Sequence, residues 1–156
     1  MVKRALVALA LLLTACDLPR DPEHTLERVE VAGMRVGIAP RPPWAIGGEE
    51  PSGVEADLVR AFARDLGTDV RWKSGSASDV LESIELGNLD LAIGGFTADN
   101  PWSSRVSFIQ PYYVLGDDQH VMAVPHGENA WIVRLERFLR SRLGQIPRLL
   151  REHTSR

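Results

Sequence analysis

Between Gly87 and Tyr113 the chain reads GNLDLAIGGFTADNPWSSRVSFIQPYY, and this run narrows the possible folds more than any other. Leu89–Ile93 is an unbroken apolar stretch. It suits a strand of a parallel sheet covered on both faces. The Gly94-Gly95 pair is expected to stop it. A polar loop with Thr97, Asp99 and Asn100 follows, and Pro101-Trp102 then opens a short helix. A strand that ends on small residues beside a helix start places backbone N–H groups in a crevice. Open α/β sheets bind small polar ligands at such places. The run holds no nucleophile paired with a base, so it points to binding and not to an enzyme.

The elements before it alternate. Met34–Ala39 reads as a strand, and Pro40-Arg41-Pro42-Pro43-Trp44 as a rigid loop, because prolines do not sit inside sheets. Gly47–Gly53 is a turn-rich connection. Val54–Leu66 carries Val54, Leu58, Ala61, Phe62 and Leu66 at helical spacing, and Gly67 stops it. Asp69–Lys73 is a second strand. Ser76–Leu86 is a second helix, with Val80, Leu81 and Ile84 inward and Gly87 at its end. The order β-α-β-α-β implies right-handed crossovers and a three-layer α/β domain. Val106–Leu115 and Val121–Val124 are further strands, separated by turn chemistry at Gly116-Asp117-Asp118. Asn129–Leu143 is a helix with Trp131, Leu135, Phe138 and Leu139 on one face.

The N-terminus reads as a targeting segment. Lys3 and Arg4 precede the apolar stretch Ala5–Leu13, which is shorter than the roughly 20 residues needed to span a bilayer. Leu13-Thr14-Ala15-Cys16 follows and resembles a bacterial lipobox. That resemblance implies lipidation of Cys16, a palmitate-bearing mature N-terminus, and a signal peptide covering residues 1–15. An ordinary signal peptide with an incidental cysteine is the alternative. Cys16 is the only cysteine, so no intramolecular disulfide can form. Residues 16–28, with Pro19 and Pro22, read as a lipidated tether, residues 29–143 as the domain, and residues 144–156 as a basic tail. Ile132–Arg156 carries seven arginines against two glutamates, which reads either as a solvated helix face or as a surface turned toward anionic lipid. The net charge of −3 argues against a general nucleic-acid binder. His24, His120, His126 and His153 have no metal-ligand spacing on one element, and no phosphate-binding glycine loop is present, so neither metal nor cofactor is expected.

Met34-Arg35-Val36-Gly37, the Pro-Pro-Trp loop, Gly53-Val54-Glu55-Ala56-Asp57-Leu58, Leu66-Gly67, Gly87-Asn88-Leu89-Asp90-Leu91, Gly94-Gly95-Phe96-Thr97 and Phe108 through Pro111-Tyr112-Tyr113 come in one order at one spacing. Together they resemble the first lobe of family 3 bacterial solute-binding proteins, the periplasmic amino-acid receptors of ABC transporters. A similar domain occurs as a regulatory module in a membrane-bound lytic transglycosylase. The resemblance implies a single lobe of the type II periplasmic-binding-protein fold, with a mostly parallel sheet and helices on both faces. It implies transport-related binding of a small polar, amino-acid-like solute at the outer face of the cell membrane. It suggests ligand contacts from Trp44, Gly94, Gly95 and Thr97. Asp57 is a weaker candidate, which its place in the first turn of a helix also explains.

Two departures stand out. The family's carboxylate-clamping arginine falls at Trp102 here, and one indole N–H cannot replace a bidentate guanidinium. Trp102 is instead a candidate ligand contact that stacks on a flat solute, or else a residue that packs inward. Arg105, one turn further on, is the candidate to reach back. The second lobe is also missing, since only Val114–His120 separates Tyr113 from Val121. Val121–Val124 is therefore either the returning strand of lobe one or the first strand of a truncated lobe two. The expected partners are a small solute, the membrane through a lipid, and either a transporter subunit or a second copy. The alternative is a lipoprotein that binds no solute and docks a protein through Trp44, Phe96 and Trp102.

Overall fold

The computed structural model describes residues 21–155, so Cys16 and the signal segment lie outside the described residues. The elements are α1 (Thr25–Ala32), β1 (Met34–Ile38), α2 (Val54–Leu66), β2 (Val70–Ser74), α3 (Ala77–Glu85), β3 (Leu91–Thr97), a 3-10 turn (Pro101–Ser104), β4 (Ser107–Phe108), β5 (Tyr113–Leu115), β6 (Asp118–Val124), α4 (Asn129–Arg142), a second 3-10 turn (Leu143–Gln145) and α5 (Ile146–Thr154). They build one six-stranded sheet in the order β2-β1-β3-β6-β4, with β5 following β4 along the outer side of β6.

Helices cover both faces, as expected, but the sheet is mixed and not mostly parallel. β1 pairs in parallel with β2 and β3, whereas β6 runs antiparallel to β3, β4 and β5. The chain reverses at the two residues Gly116-Asp117, with Leu115 opposite Asp118 and Gly116 at φ +62, and a tight hairpin can only join antiparallel strands. β6 lies against β3 in the sheet of this lobe, so Val121–Val124 belongs to the returning strand and not to a truncated second lobe.

Side chains alternate along the strands and feed two cores. Val36, Ile38, Leu91, Ile93, Met122 and Val124 face α1, α2, α4 and α5, where Phe62, Trp131, Leu135 and Phe138 complete the larger core. Ala92, Val121 and Ala123 face the other way, onto Val80, Leu81 and Ile84 of α3.

Four segments differ from the sequence expectation. Residues 25–28, the end of the expected tether, form the first half of α1, which continues into the domain at the fully buried Val29. Its first turn is satisfied by a residue distant in sequence, since the Glu128 carboxylate accepts the N–H groups of Glu23 and Thr25 at 3.0 and 3.1 Å. The basic tail contains α5, which buries Ile146 and Leu149 and is tied to α2 by a 2.7 Å hydrogen bond between His153 and Asp57. Asp57 is thereby a helix-pairing residue. Val106–Leu115 is two short strands and not one, because Pro111 cannot donate to a ladder. Finally, β3 does not stop at Gly94-Gly95 but passes through them as a bulge. Ala92 faces Ala123 and Phe96 faces Val121, so the strand gains extra residues between those pairs. Gly95 sits at φ +58, and a Cβ there would lie 3.0 Å from Trp44.

Two buried carboxylates hold these parts together. Asp90 accepts from Arg28 at 2.7 Å, from the Arg35 side chain at 2.6 Å and from the Arg35 backbone N–H at 2.8 Å, joining α1, β1 and β3. Burial pushes its carboxyl up, but the hydrogen bonds from Arg35 and Arg28 outweigh this and hold it below the ordinary value. Glu55, fully buried at the start of α2, accepts the N–H groups of Gly94 and Gly95 at 2.8 Å each and the Tyr112 hydroxyl at 2.7 Å. Burial raises its pKa, against the opposing pull of the Gly95, Tyr112 and Gly94 hydrogen bonds.

Asp90→Asn is expected to lower unfolding free energy by on the order of 2 kcal/mol in urea melts at neutral pH, since both arginines lose a charged acceptor. The lowered pKa makes the Asp90 contribution present above the ordinary carboxylate value of 3.8 and lost as pH falls through the folded value, so the two proteins converge in acid. Glu55 has the opposite sign. Its raised pKa makes wild type lose stability relative to Glu55→Gln as pH rises from 4.5 through the folded value. Glu55→Ala strands three buried donors and is expected to cost at least about 3 kcal/mol, while Glu55→Gln keeps an acceptor and stays within about 1 kcal/mol of wild type.

Candidate functional site

The carboxyl ends of β1 and β3 frame a crevice of about 300 Å³. Ala39 and Pro40 leave β1 on one side. Gly94, Phe96 and Thr97 form the floor, Asn100 lies beyond them, and Ser76 and Ala77 bring the start of α3 to the opposite wall. Arg41 completes the lining and is its only ionisable residue. This is the position at which α/β sheets present their loops to ligands.

The structure brings together only part of the residue set expected from sequence. Gly94, Thr97 and the crevice coincide. The N–H groups of Gly94 and Gly95, expected to face a ligand anion, are instead consumed by Glu55. Their smallness serves close packing, because a Cβ on Gly94 would meet Ala39 at 2.8 Å. Thr97 donates its hydroxyl proton to Asp99 at 2.6 Å, which leaves the Thr97 oxygen as an acceptor toward the crevice. Asn100 accepts the Trp102 N–H through Oδ1 and so caps the 3-10 turn, which leaves its amide NH₂ as a donor.

Trp44 is not a wall of the crevice. It is 5% exposed, stacks on His120 at 3.7 Å between ring centres, and meets Tyr112 edge-on. Burial lowers the His120 pKa, Asp118 opposes that shift and Arg41 adds to it. Both His120 ring nitrogens lack a hydrogen-bond partner among the described residues. Arg105 does not reach back. It pairs with both carboxylate oxygens of Glu85 and lies 4.2 Å over the half-buried Trp102 ring. The cleft that Arg105 lines, of about 690 Å³, is at the opposite end of the sheet, beside Arg35 and Gly87.

Sequence reasoning missed Arg41, Ser76 and Asn100. The clearest signal was available for Arg41, the only basic residue between Arg35 and Arg60 and one placed directly after β1. Its backbone is fixed: its N–H donates to the Ala45 carbonyl at 2.7 Å, and its carbonyl accepts from Trp44 and Ala45. Among the described residues no group of His, Cys, Asp and Glu is placed to hold a metal ion.

The chain is similar to known proteins in sequence and in fold. The sequence is 32% identical over 118 residues to the membrane-bound lytic murein transglycosylase F of Maricaulis maris, covering 71% of this chain and 26% of that protein. With the corresponding enzyme of Vibrio cholerae it is 30% identical over 92 residues, covering 57% of this chain and 17% of that protein. The chain therefore spans about a quarter or less of these curated relatives. In fold it is similar to the arginine-bound form of domain 1 from TmArgBP, with a TM-score of 0.63 at 23% identity over 69% of this chain and 91% of that one. It is also similar to an amino acid ABC transporter substrate-binding protein from Streptococcus pneumoniae bound to L-arginine, with a TM-score of 0.75 at 14% identity over 84% and 98%. The model of the bacterial extracellular solute-binding proteins, family 3, matches residues 34–149, and with the crevice and the sheet order this places the chain in that family as a single lobe.

Proposed function

We propose that this lobe binds a small amino-acid-like solute in the crevice at the carboxyl ends of β1 and β3, and that a lipid on Cys16 holds it at the outer face of the cell membrane. The observation that carries the first part is the crevice itself, in which Arg41, the Asn100 amide and the start of α3 offer donors and Thr97 offers an acceptor. Such a set fits a molecule with both an anionic and an ammonium group. One lobe leaves one side of the solute to water. A transporter subunit or a second copy over the crevice is the natural cover, and without one the affinity is modest.

The protein-docking alternative loses its support. Trp44 and Phe96 are 5% and 4% exposed, so two of its three aromatic anchors have no surface to offer. No helix among the described residues is long and apolar enough to cross a membrane. Membrane attachment therefore rests on the Leu13–Cys16 sequence.

Thermal melting with L-arginine and L-glutamine tests the solute reading. A saturable rise is expected, and at ten times the dissociation constant it amounts to about 1.4 kcal/mol of added stability. A melting temperature that ignores every amino acid tried would refute it. For the anchor, wild-type protein expressed in a bacterium should sediment with membranes and carry the mass of a diacylglyceryl group on Cys16. Cys16→Ser should move to the soluble fraction, and equal partitioning of the two would refute the anchor.

A further inference from the structure

We propose that Arg41 is the residue that grips the solute, through a carboxylate on it, so that the anion clamp of this lobe stands on the loop after β1. This rests on the solute-binding reading above and adds which group is held and by what.

Three observations carry it. First, Arg41 is the only charged side chain lining the crevice, and the two carboxylates bonded to its lining residues are engaged there, Asp79 in the Ser76 capping box and Asp99 on the Thr97 hydroxyl. Asp90, the buried acid with which Arg28 and Arg35 both pair, lies at the other end of the sheet, and Arg105 pairs with Glu85. Arg41 has no salt bridge and no side-chain hydrogen bond among the described residues. A guanidinium with five free N–H groups matches a carboxylate bidentately.

Second, its position is set by the fold. The turn Arg41–Ala45 closes on itself through three backbone hydrogen bonds, and Trp44 at its far end is locked into the core against His120. The side chain therefore starts from a fixed point at the rim. Its charge opposes the burial that raises the Glu55 pKa and adds to the burial that lowers that of His120.

Third, the neighbouring groups are donors where a carboxylate needs them. The capping box at Ser76 uses the Ser76 and Asp79 N–H groups and leaves Ala77, on the crevice wall, with an N–H that has no partner within the helix. The Asn100 amide adds a second donor. The Thr97 hydroxyl oxygen, left as an acceptor by its bond to Asp99, suits the ammonium end of the same molecule. Trp102, in contrast, is occupied under Arg105 and lends the crevice no charge.

The test is an NMR titration of isotope-labelled full-length protein in detergent, following the backbone amides of Arg41, Ala77 and Asn100. The probes are L-glutamine, acetate, and L-glutamine amide, whose carboxylate is replaced by a neutral carboxamide. L-glutamine and acetate should shift these amides saturably, and the amide probe should bind at least about tenfold more weakly. Arg41→Gln should weaken L-glutamine about tenfold and Arg41→Lys should fall between. If Arg41→Gln binds L-glutamine within about twofold of wild type while the crevice amides still shift, the clamp is refuted and solute binding stands. If no crevice amide moves with any of the three probes, clamp and solute reading fall together.

Discussion

The Glu55 carboxylate is the interaction on which the rest of this lobe depends. It stands at the first turn of α2 and takes both N–H groups of the Gly94-Gly95 bulge together with the Tyr112 hydroxyl. Three separate pieces of chain, namely the helix over the sheet, the central strand and the approach to the hairpin, meet on two oxygen atoms. Burying a carboxylate is unfavourable unless its lone pairs are filled, and here two of the three donors are backbone N–H groups of a bulge and the third is the Tyr112 hydroxyl. The dependence is mutual. The bulge leaves two N–H groups off the β-ladder, and only an acceptor from beneath the sheet can satisfy them. Once Glu55 has them, they are lost to any ligand. The crevice must therefore draw its polarity from the walls, which shifts attention to the loop after β1 and the start of α3.

Much of the fold was legible in the sequence because it rests on local chemistry. The 3.6-residue spacing of Val54, Leu58, Phe62 and Leu66 with Gly67 behind it defines α2, and the structure places Gly67 in the left-handed region as the cap. The Ser76 capping box starts α3 within one residue of expectation. What was not legible depends on partners distant in sequence. α1 looked like tether because its composition is polar, and its start is satisfied by Glu128, a hundred residues away. α5 looked like a tail because arginines dominate its composition, while two apolar residues a turn apart, Ile146 and Leu149, decide its packing. The glycine pair looked like a terminator because glycine usually ends strands, and only the acceptor beneath it explains why the strand continues.

The site follows the same division. A crevice at the carboxyl ends of the strands could be read from strand order alone. Which groups face it could not, because hydrogen bonds decided elsewhere set their polarity: Thr97 becomes an acceptor through Asp99, Asn100 a donor through Trp102, and Arg105 is drawn away by Glu85. Trp44 illustrates the limit. An aromatic residue in a proline-rich loop beside a binding crevice is as good a wall as a plug, and the buried His120 ring on which it stacks is contributed by the hairpin strand.

The hairpin also changes what a site of this kind can use. Where two lobes close on a ligand, most of its surface leaves water, and uncharged hydrogen bonds and apolar contact then carry specificity. Here the chain turns back at Gly116-Asp117, and Val114 and Leu115 stand 58% and 50% exposed on the hairpin arm. A half-open crevice keeps water beside every contact, and neutral hydrogen bonds to solute then compete almost evenly with hydrogen bonds to solvent. A charge pair retains more. At 4 Å it is worth about 1 kcal/mol in water and about 4 kcal/mol at the effective dielectric of a protein surface. In a lobe without its second half, one unneutralised guanidinium on a fixed loop is thus the contact best able to survive exposure. Arg28 and Arg35, which share the Asp90 carboxylate, and Arg105, paired with Glu85, are instead engaged in holding the fold together.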